Sequence, residues 1–200
     1  MKKIISLLLL FVMTVSLQTT IYAGYEGKSE AEHTQRVNLD FDFNVGGAYL
    51  IEAKTGKVLY AKDEYKAASP ASVTKVMTLL LVCEALSDGK YSLEDKVSVS
   101  AHAASMGGSQ VFLEEGEKIT VEELIKSAVI ASGNDASVAL AELTSGSEAT
   151  FVKEMNKRAK ELGLKYTSFE NATGLDDTTT NHYSCAADIA TISRELIKYD

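Results

Sequence analysis

The run Ala68–Val82 (ASPASVTKVMTLLLV) packs three signals into one short stretch. Ser69-Pro70 predicts a helix start, with serine as N-cap and proline at the first helical position. Behind it Val73, Val76, Met77, Leu80, Leu81 and Val82 make a helix that is apolar on most of its sides, as buried helices are, and Asp88-Gly89 predicts its end. Among the polar residues of this run stand Ser72 and Lys75, at a spacing that puts them on one face. A serine hydroxyl is a poor nucleophile until a base takes its proton, and a desolvated lysine can be neutral enough to do so. Backbone N–H groups in the first helical turn lack intrahelical partners, so the N–H of Ser72 is a candidate donor to an oxyanion on an attacked carbonyl.

Outward from this run, Val45–Glu52 and Lys57–Ala61 are β-rich segments separated by Ala53-Lys54-Thr55-Gly56, which predicts a hairpin. On the other side the pattern is helical. Thr120 to Glu123 predicts a capping box, and Leu124, Ile125, Ala128 and Val129 follow at helical spacing until Ser132-Gly133-Asn134-Asp135 interrupts. A helix over Ala136–Leu143 resumes. Phe151, Met155, Ala159 and Leu162 mark another, closed by Gly163, and Ile189, Ile192, Leu196 and Ile197 mark the last, with Ser184 as its expected cap. Two strands alone make a marginal sheet, so the hairpin is expected either to lie flat on the helices or to need further strands.

The 200 residues carry 20 Lys+Arg against 28 Asp+Glu, a formal charge of -8, with 46% apolar and 24% charged residues. That composition suits a globular protein with a real core and excludes wholesale disorder. The acidity argues against nucleic acid and against an anionic membrane surface as partners. Cys83 and Cys185 cannot build a disulfide framework, and His33, His102 and His182 show no metal-ligand spacing, so neither a metal nor another cofactor is expected. Cys83 reads as a small buried hydrophobe, Cys185 as a thiol at a helix start, and Glu114, Glu115, Glu117, Glu122 and Glu123 as a solvated surface.

Lys2 and Lys3 precede an apolar run, Ile4–Val15, and a polar stretch ending at Ile21-Tyr22-Ala23. Residues 1–23 therefore read as a signal peptide, or as an uncleaved anchor, and residues 24–40 as a polar flexible leader. Either way the expected location is extracytoplasmic, secreted or on the outer face of the cytoplasmic membrane.

Ser132-Gly133-Asn134 is by itself a helix-to-helix turn, in which glycine allows the reversal while serine and asparagine offer a hydroxyl and an amide able to point into a cleft. S-x-x-K followed at a distance by S-x-N is a recognised acyl-transfer pattern. With Gly47–Glu52, Thr55–Tyr60, Ala68–Thr78, Gly107-Gly108-Ser109, Ser132–Ala136, Asn171–Leu175 and His182-Tyr183-Ser184 leading to Asp188, residues 40–200 resemble the serine-type D-alanyl-D-alanine carboxypeptidases, the low-molecular-mass penicillin-binding proteins. The resemblance implies an α/β fold of the α+β type, the β-lactamase/penicillin-binding transpeptidase-like fold, with an antiparallel sheet flanked by helices and a helical lobe. It implies Ser72 as acylated nucleophile, Lys75 as general base, Ser132 as proton relay, and Asn134 with Gly133 as substrate-binding residues. Peptidoglycan stem peptides are the implied substrate, β-lactam antibiotics the implied inhibitors, and cell-wall trimming and cell shape the implied role.

Two departures from the family pattern bear on function. No Lys-Thr-Gly follows Asn134; Lys54-Thr55-Gly56 has the letters but precedes Ser72 and sits in the predicted hairpin turn, so no catalytic role is expected of it. The later strands and the C-terminal domain with its membrane-associating helix are also missing. Residues 41–200 are accordingly expected to be the N-terminal part of a peptidase domain truncated at its C-terminus. Membrane contact is then left to an uncleaved signal or the missing anchor. The competing reading is a non-catalytic remnant or pseudoenzyme that binds cell wall. A β-lactamase ranks below both, because Glu170-Asn171-Ala172-Thr173 does not fit the E-x-x-L-N loop that activates deacylating water in class A enzymes.

Overall fold

A computed structural model describes residues 44–199 of the chain. The signal segment 1–23 and the leader 24–40 lie outside the described residues.

The first hairpin forms as predicted. Strands β1 (Ala48–Ile51) and β2 (Val58–Lys62) pair antiparallel with Leu50 opposite Tyr60, and the register shifts between Leu50 and Ile51. The Glu52 carboxylate closes the turn, accepting from the Lys54 and Thr55 N–H groups and from the Thr55 hydroxyl. These bonds, the Thr55 hydroxyl first, hold its pKa down to about 2. The hairpin lies on the last helix, α6 (Ala186–Leu196), whose Arg194 guanidinium donates to the carbonyls of Ala53 and Lys54. Lys54-Thr55-Gly56 is thus engaged as a turn.

Ser69 does not cap a helix. Pro70 stands at the N-cap of a short 3-10 turn, Ala71–Thr74, without a side-chain cap bond, and helix α1 begins only at Lys75, running to Ser87. A second hairpin, β3 (Lys96–Ser98) with β4 (Lys118–Thr120), escapes the sequence reading. Three residues are too few to show alternation, and Val97 is the one buried residue of the pair. Between them lies a single helical turn, α2 (Ala101–Ala104), capped by Ser100.

The Thr120–Glu123 capping box is present and opens α3 (Val121–Ile130). Then come α4 (Asn134–Ser145) and α5 (Glu148–Glu161), the latter capped by Ser147. The cap of α6 is Cys185, whose Sγ accepts from the Asp188 N–H at 3.5 Å, while the expected cap Ser184 pairs with the Thr167 hydroxyl. Burial pushes the Cys185 thiol up, so the helix start confers no thiolate character on it. The Cys83 thiol, half-buried, is pushed up for the same reason.

Helix α1 is apolar all round because it stands between two cores. Val82 joins Val97, Leu113, Val121, Leu124 and Leu140 on one side. Met77, Leu80 and Leu81 meet Phe151, Met155, Ala159 and Ile192 on the other. Phe151 and Met155 are fully buried, and truncating such a side chain costs about 2–5 kcal/mol. That central position fixes Lys75 in depth: the residue opening α1 is 4% exposed. Among the described residues no helix is long and apolar enough to cross a membrane.

Candidate active site

Three segments far apart in the chain meet at the Lys75 ammonium. Its Nζ lies 3.4 Å from Ser72 Oγ, 3.2 Å from Ser132 Oγ, 2.7 Å from Asn134 Oδ1 and 3.0 Å from the Thr173 carbonyl oxygen. Burial lowers its pKa from 10.5 to about 8. A neutral amine has two N–H groups and a lone pair. The two strong acceptors, Asn134 Oδ1 and Thr173 O, can take both N–H groups, which leaves the lone pair for the hydroxyls of Ser72 and Ser132.

Each arm of the site is braced. Ala71 sits at φ 45°, which turns the exposed Ser72 out at the head of α1. Gly174, at φ +83°, packs so close that a Cβ there would come 1.7 Å from the Ala71 carbonyl oxygen and 2.8 Å from Thr74 Oγ1. Ser132 is itself at φ 56°, in the break between α3 and α4. Gly133 is buried, its N–H donating to the Ser127 carbonyl and its carbonyl accepting from the Ser137 N–H.

Asn134 is held from the opposite side. Its Nδ2 donates to the Gly107 carbonyl at 2.7 Å and its backbone N–H to the Ser109 carbonyl at 2.7 Å. These donors fix which end of the amide faces Lys75, since the end donating to a carbonyl must be nitrogen. The neighbouring Asp135 carboxylate, 1% exposed, accepts from the N–H groups of Val111, Leu113 and Ala136 and so pins the 107–113 loop to the start of α4.

All five residues expected at the site, Ser72, Lys75, Ser132, Gly133 and Asn134, are therefore gathered in one place. Sequence reasoning missed the Thr173 and Gly107 carbonyls, although both lie in stretches that carry the family resemblance. It also missed Glu148, which accepts from the Ala172 N–H and from His102 Nε2 and thereby steadies the segment carrying Thr173. Among the described residues no group of three or more His, Cys, Asp or Glu side chains is arranged to hold a metal ion.

Residues 31–200 match the family model described as D-alanyl-D-alanine carboxypeptidase. The D-alanyl-D-alanine carboxypeptidase DacF of Bacillus subtilis (strain 168) is 52% identical over 200 residues, covering all of this chain and 49% of that protein. DacD of Escherichia coli (strain K12) is 36% identical over 162 residues, or 78% of this chain and 41% of its own length. The chain thus spans about half the length of the curated relatives it matches. Among solved structures, the D-alanyl-D-alanine carboxypeptidase DacD of Francisella tularensis superposes with a TM-score of 0.77 at 31% identity, over 84% of this chain and 40% of that one. Penicillin binding protein 6B of Escherichia coli gives 0.77 at 35%, over 82% and 53%. The fold is the penicillin-binding, transpeptidase-like one that the sequence reading expected, with helices dominant in the described residues.

Proposed function

The chain belongs to the D-alanyl-D-alanine carboxypeptidase family, and from that premise we propose that it carries the acylation centre of a serine hydrolase that removes the terminal D-alanine from peptidoglycan stem peptides. One observation carries the reading: a buried lysine with a pKa lowered to about 8 stands within hydrogen-bond reach of two serine hydroxyls. Neutral Lys75 takes the proton of Ser72 as Oγ attacks the carbonyl between the two D-alanines. The oxyanion takes the N–H of Ser72, which lies in the opening turn where no intrahelical acceptor is available. The proton passes from Lys75 by way of Ser132 to the leaving amine, D-alanine departs, and water hydrolyses the acyl-Ser72 ester. Asn134 orients both Lys75 and the substrate amide. Penicillins, whose ring amide is a strained acyl donor, acylate the same oxygen.

The setting is extracytoplasmic, as the pattern of residues 1–23 supports. A β-lactamase reading gains nothing from the site: Glu170 uses its carboxylate on the N–H groups of Thr180 and Asn181, which lowers its pKa.

The test is the intact mass of the purified chain after incubation with a penicillin, beside Ser72→Ala and Lys75→Ala. An adduct of one ring-opened drug, lost in both variants, is the expected result. A folded chain, by circular dichroism, that takes up no drug would overturn the catalytic reading.

A further inference from the structure

Thr74 lies between the nucleophile and the base, and its hydroxyl is completely buried. Its partner is His182 Nε2, at 2.7 Å and 108 positions away in the chain. The other ring nitrogen, Nδ1, accepts from the Glu170 backbone N–H at 3.0 Å. A nitrogen that accepts from an N–H carries no proton of its own, so the ring is neutral with its hydrogen on Nε2, which donates to Thr74 Oγ1. The ring is 8% exposed and meets Phe169 edge-on, with centroids 5.8 Å apart.

We propose that His182 is a positioning residue for the serine turn: with its proton on Nε2 it braces Thr74, and with it the Ala71–Thr74 turn that presents Ser72, and protonation at Nδ1 breaks the ring's tie to Glu170 and so shifts the ring and loosens that brace. The inference rests on the acyl-transfer reading of the site. The geometry supplies the reason for a switch. An imidazolium donates from both nitrogens, so Nδ1–H would point at the Glu170 N–H, donor against donor, and the bond tying the ring to the 168–171 segment would be lost. The turn has little else to absorb the movement, because the Gly174 backbone already abuts the Ala71 carbonyl and Thr74 Oγ1. The charged groups facing the ring are Glu170 and Asp176, which raise its pKa; burial outweighs them and leaves it below 6.5.

Proton occupancy and positioning can be read together by NMR of the purified chain, titrated from about pH 8 to about pH 5. The expected result is a ring protonated on Nε2 alone at the upper end, with the Ser72 and Val73 amide shifts moving at the midpoint of the His182 ring. His182→Gln keeps a donor near the Nε2 position and cannot take up a proton, so its Ser72 amide follows only the Lys75 titration near pH 8 and shows no second step at lower pH. Thr74→Val keeps the shape without the acceptor and gives the same decoupling if His182→Gln fails to fold. Penicillin acylation supplies the second readout. In the wild type the fall in log rate with falling pH steepens from roughly one decade per unit, set by Lys75, to roughly two below the His182 midpoint, whereas His182→Gln keeps a single slope. His182→Asn, which preserves the acceptor for Glu170 but not the donor to Thr74, acylates about tenfold more slowly. A Ser72 amide that ignores the ring's titration overturns the brace, as does a ring protonated on Nδ1. A wild type that forms no adduct while its Ser72 amide follows the ring refutes the acyl-transfer reading and keeps the brace. An adduct whose rate and amides both ignore the ring does the reverse.

Discussion

Asn134 Oδ1 lies 2.7 Å from Lys75 Nζ, across 59 positions of sequence, and is the shortest contact the lysine makes. The partner of this buried amine is therefore a neutral amide. A neutral acceptor orients Nζ without favouring its charged form as strongly as a carboxylate would. Asn134→Asp tests that distinction with little change of shape. A carboxylate at that distance is expected to raise the Lys75 pKa by about 1–3 units, and so to slow acylation near neutral pH by about tenfold or more. The deficit should shrink as the pH rises, which a pH–rate profile of penicillin acylation measures. An unchanged alkaline limb would show that Asn134 does not set the lysine's protonation.

Lys75 also ties stability to pH. Its pKa falls from 10.5 to about 8 on folding, so between those values the unfolded chain binds the proton that the folded chain has released. Stability from this group therefore grows as pH rises through that window, and is lost as pH falls toward about 8. Urea unfolding of wild type and Lys75→Met at about pH 7 and about pH 10 should show the wild type gaining on the variant at the higher pH. A constant difference would mean that the lysine keeps its ordinary pKa.

Asp135 is expected to matter for folding. Its buried carboxylate accepts from three backbone N–H groups, and Asp135→Ala leaves them without an acceptor. The expected cost is about 2–5 kcal/mol by chemical denaturation, since each orphaned buried donor costs about 1–3 kcal/mol. Release of the 107–113 loop should also free the Gly107 carbonyl from Asn134.

Gly174 and Gly146 make a matched pair. Both have positive φ, +83° and +79°, but a Cβ at Gly146 meets nothing within 4 Å while one at Gly174 runs into the Ala71 carbonyl. Gly146→Ala should cost about 1 kcal/mol, the backbone penalty alone. Gly174→Ala should cost more and should suppress acylation, because the clash falls on the turn that carries Ser72. Equal costs in thermal unfolding would remove the argument that this contact positions the nucleophile.

Much of this was legible in the chain. The hairpin, the capping box at Thr120, the end of α1 at Asp88-Gly89 and the closing Gly163 follow from local rules, as local hydrogen bonds and backbone preferences set them. Ser72 and Lys75 stood out because their spacing puts a hydroxyl and an amine on one face at the head of an apolar run. The misreadings share one cause, since each depends on partners distant in sequence. Ser69 lost its cap to a 3-10 turn wedged against Gly174, Ser184 turned to Thr167, and β3 pairs with β4 across an intervening helical turn.

The chain by itself determined the chemical inventory: which residues could be nucleophile, base and relay, and which helix would be buried with them. Tertiary structure alone decided their protonation and aim. The low pKa of Lys75 comes from water excluded by two cores that meet at α1, and its orientation comes from the carbonyl of Thr173 and an amide held by the carbonyl of Gly107. Every residue has a carbonyl, so its identity says nothing of where that oxygen points. Only the folded path of the chain can bring such a group to within a hydrogen bond of a buried amine.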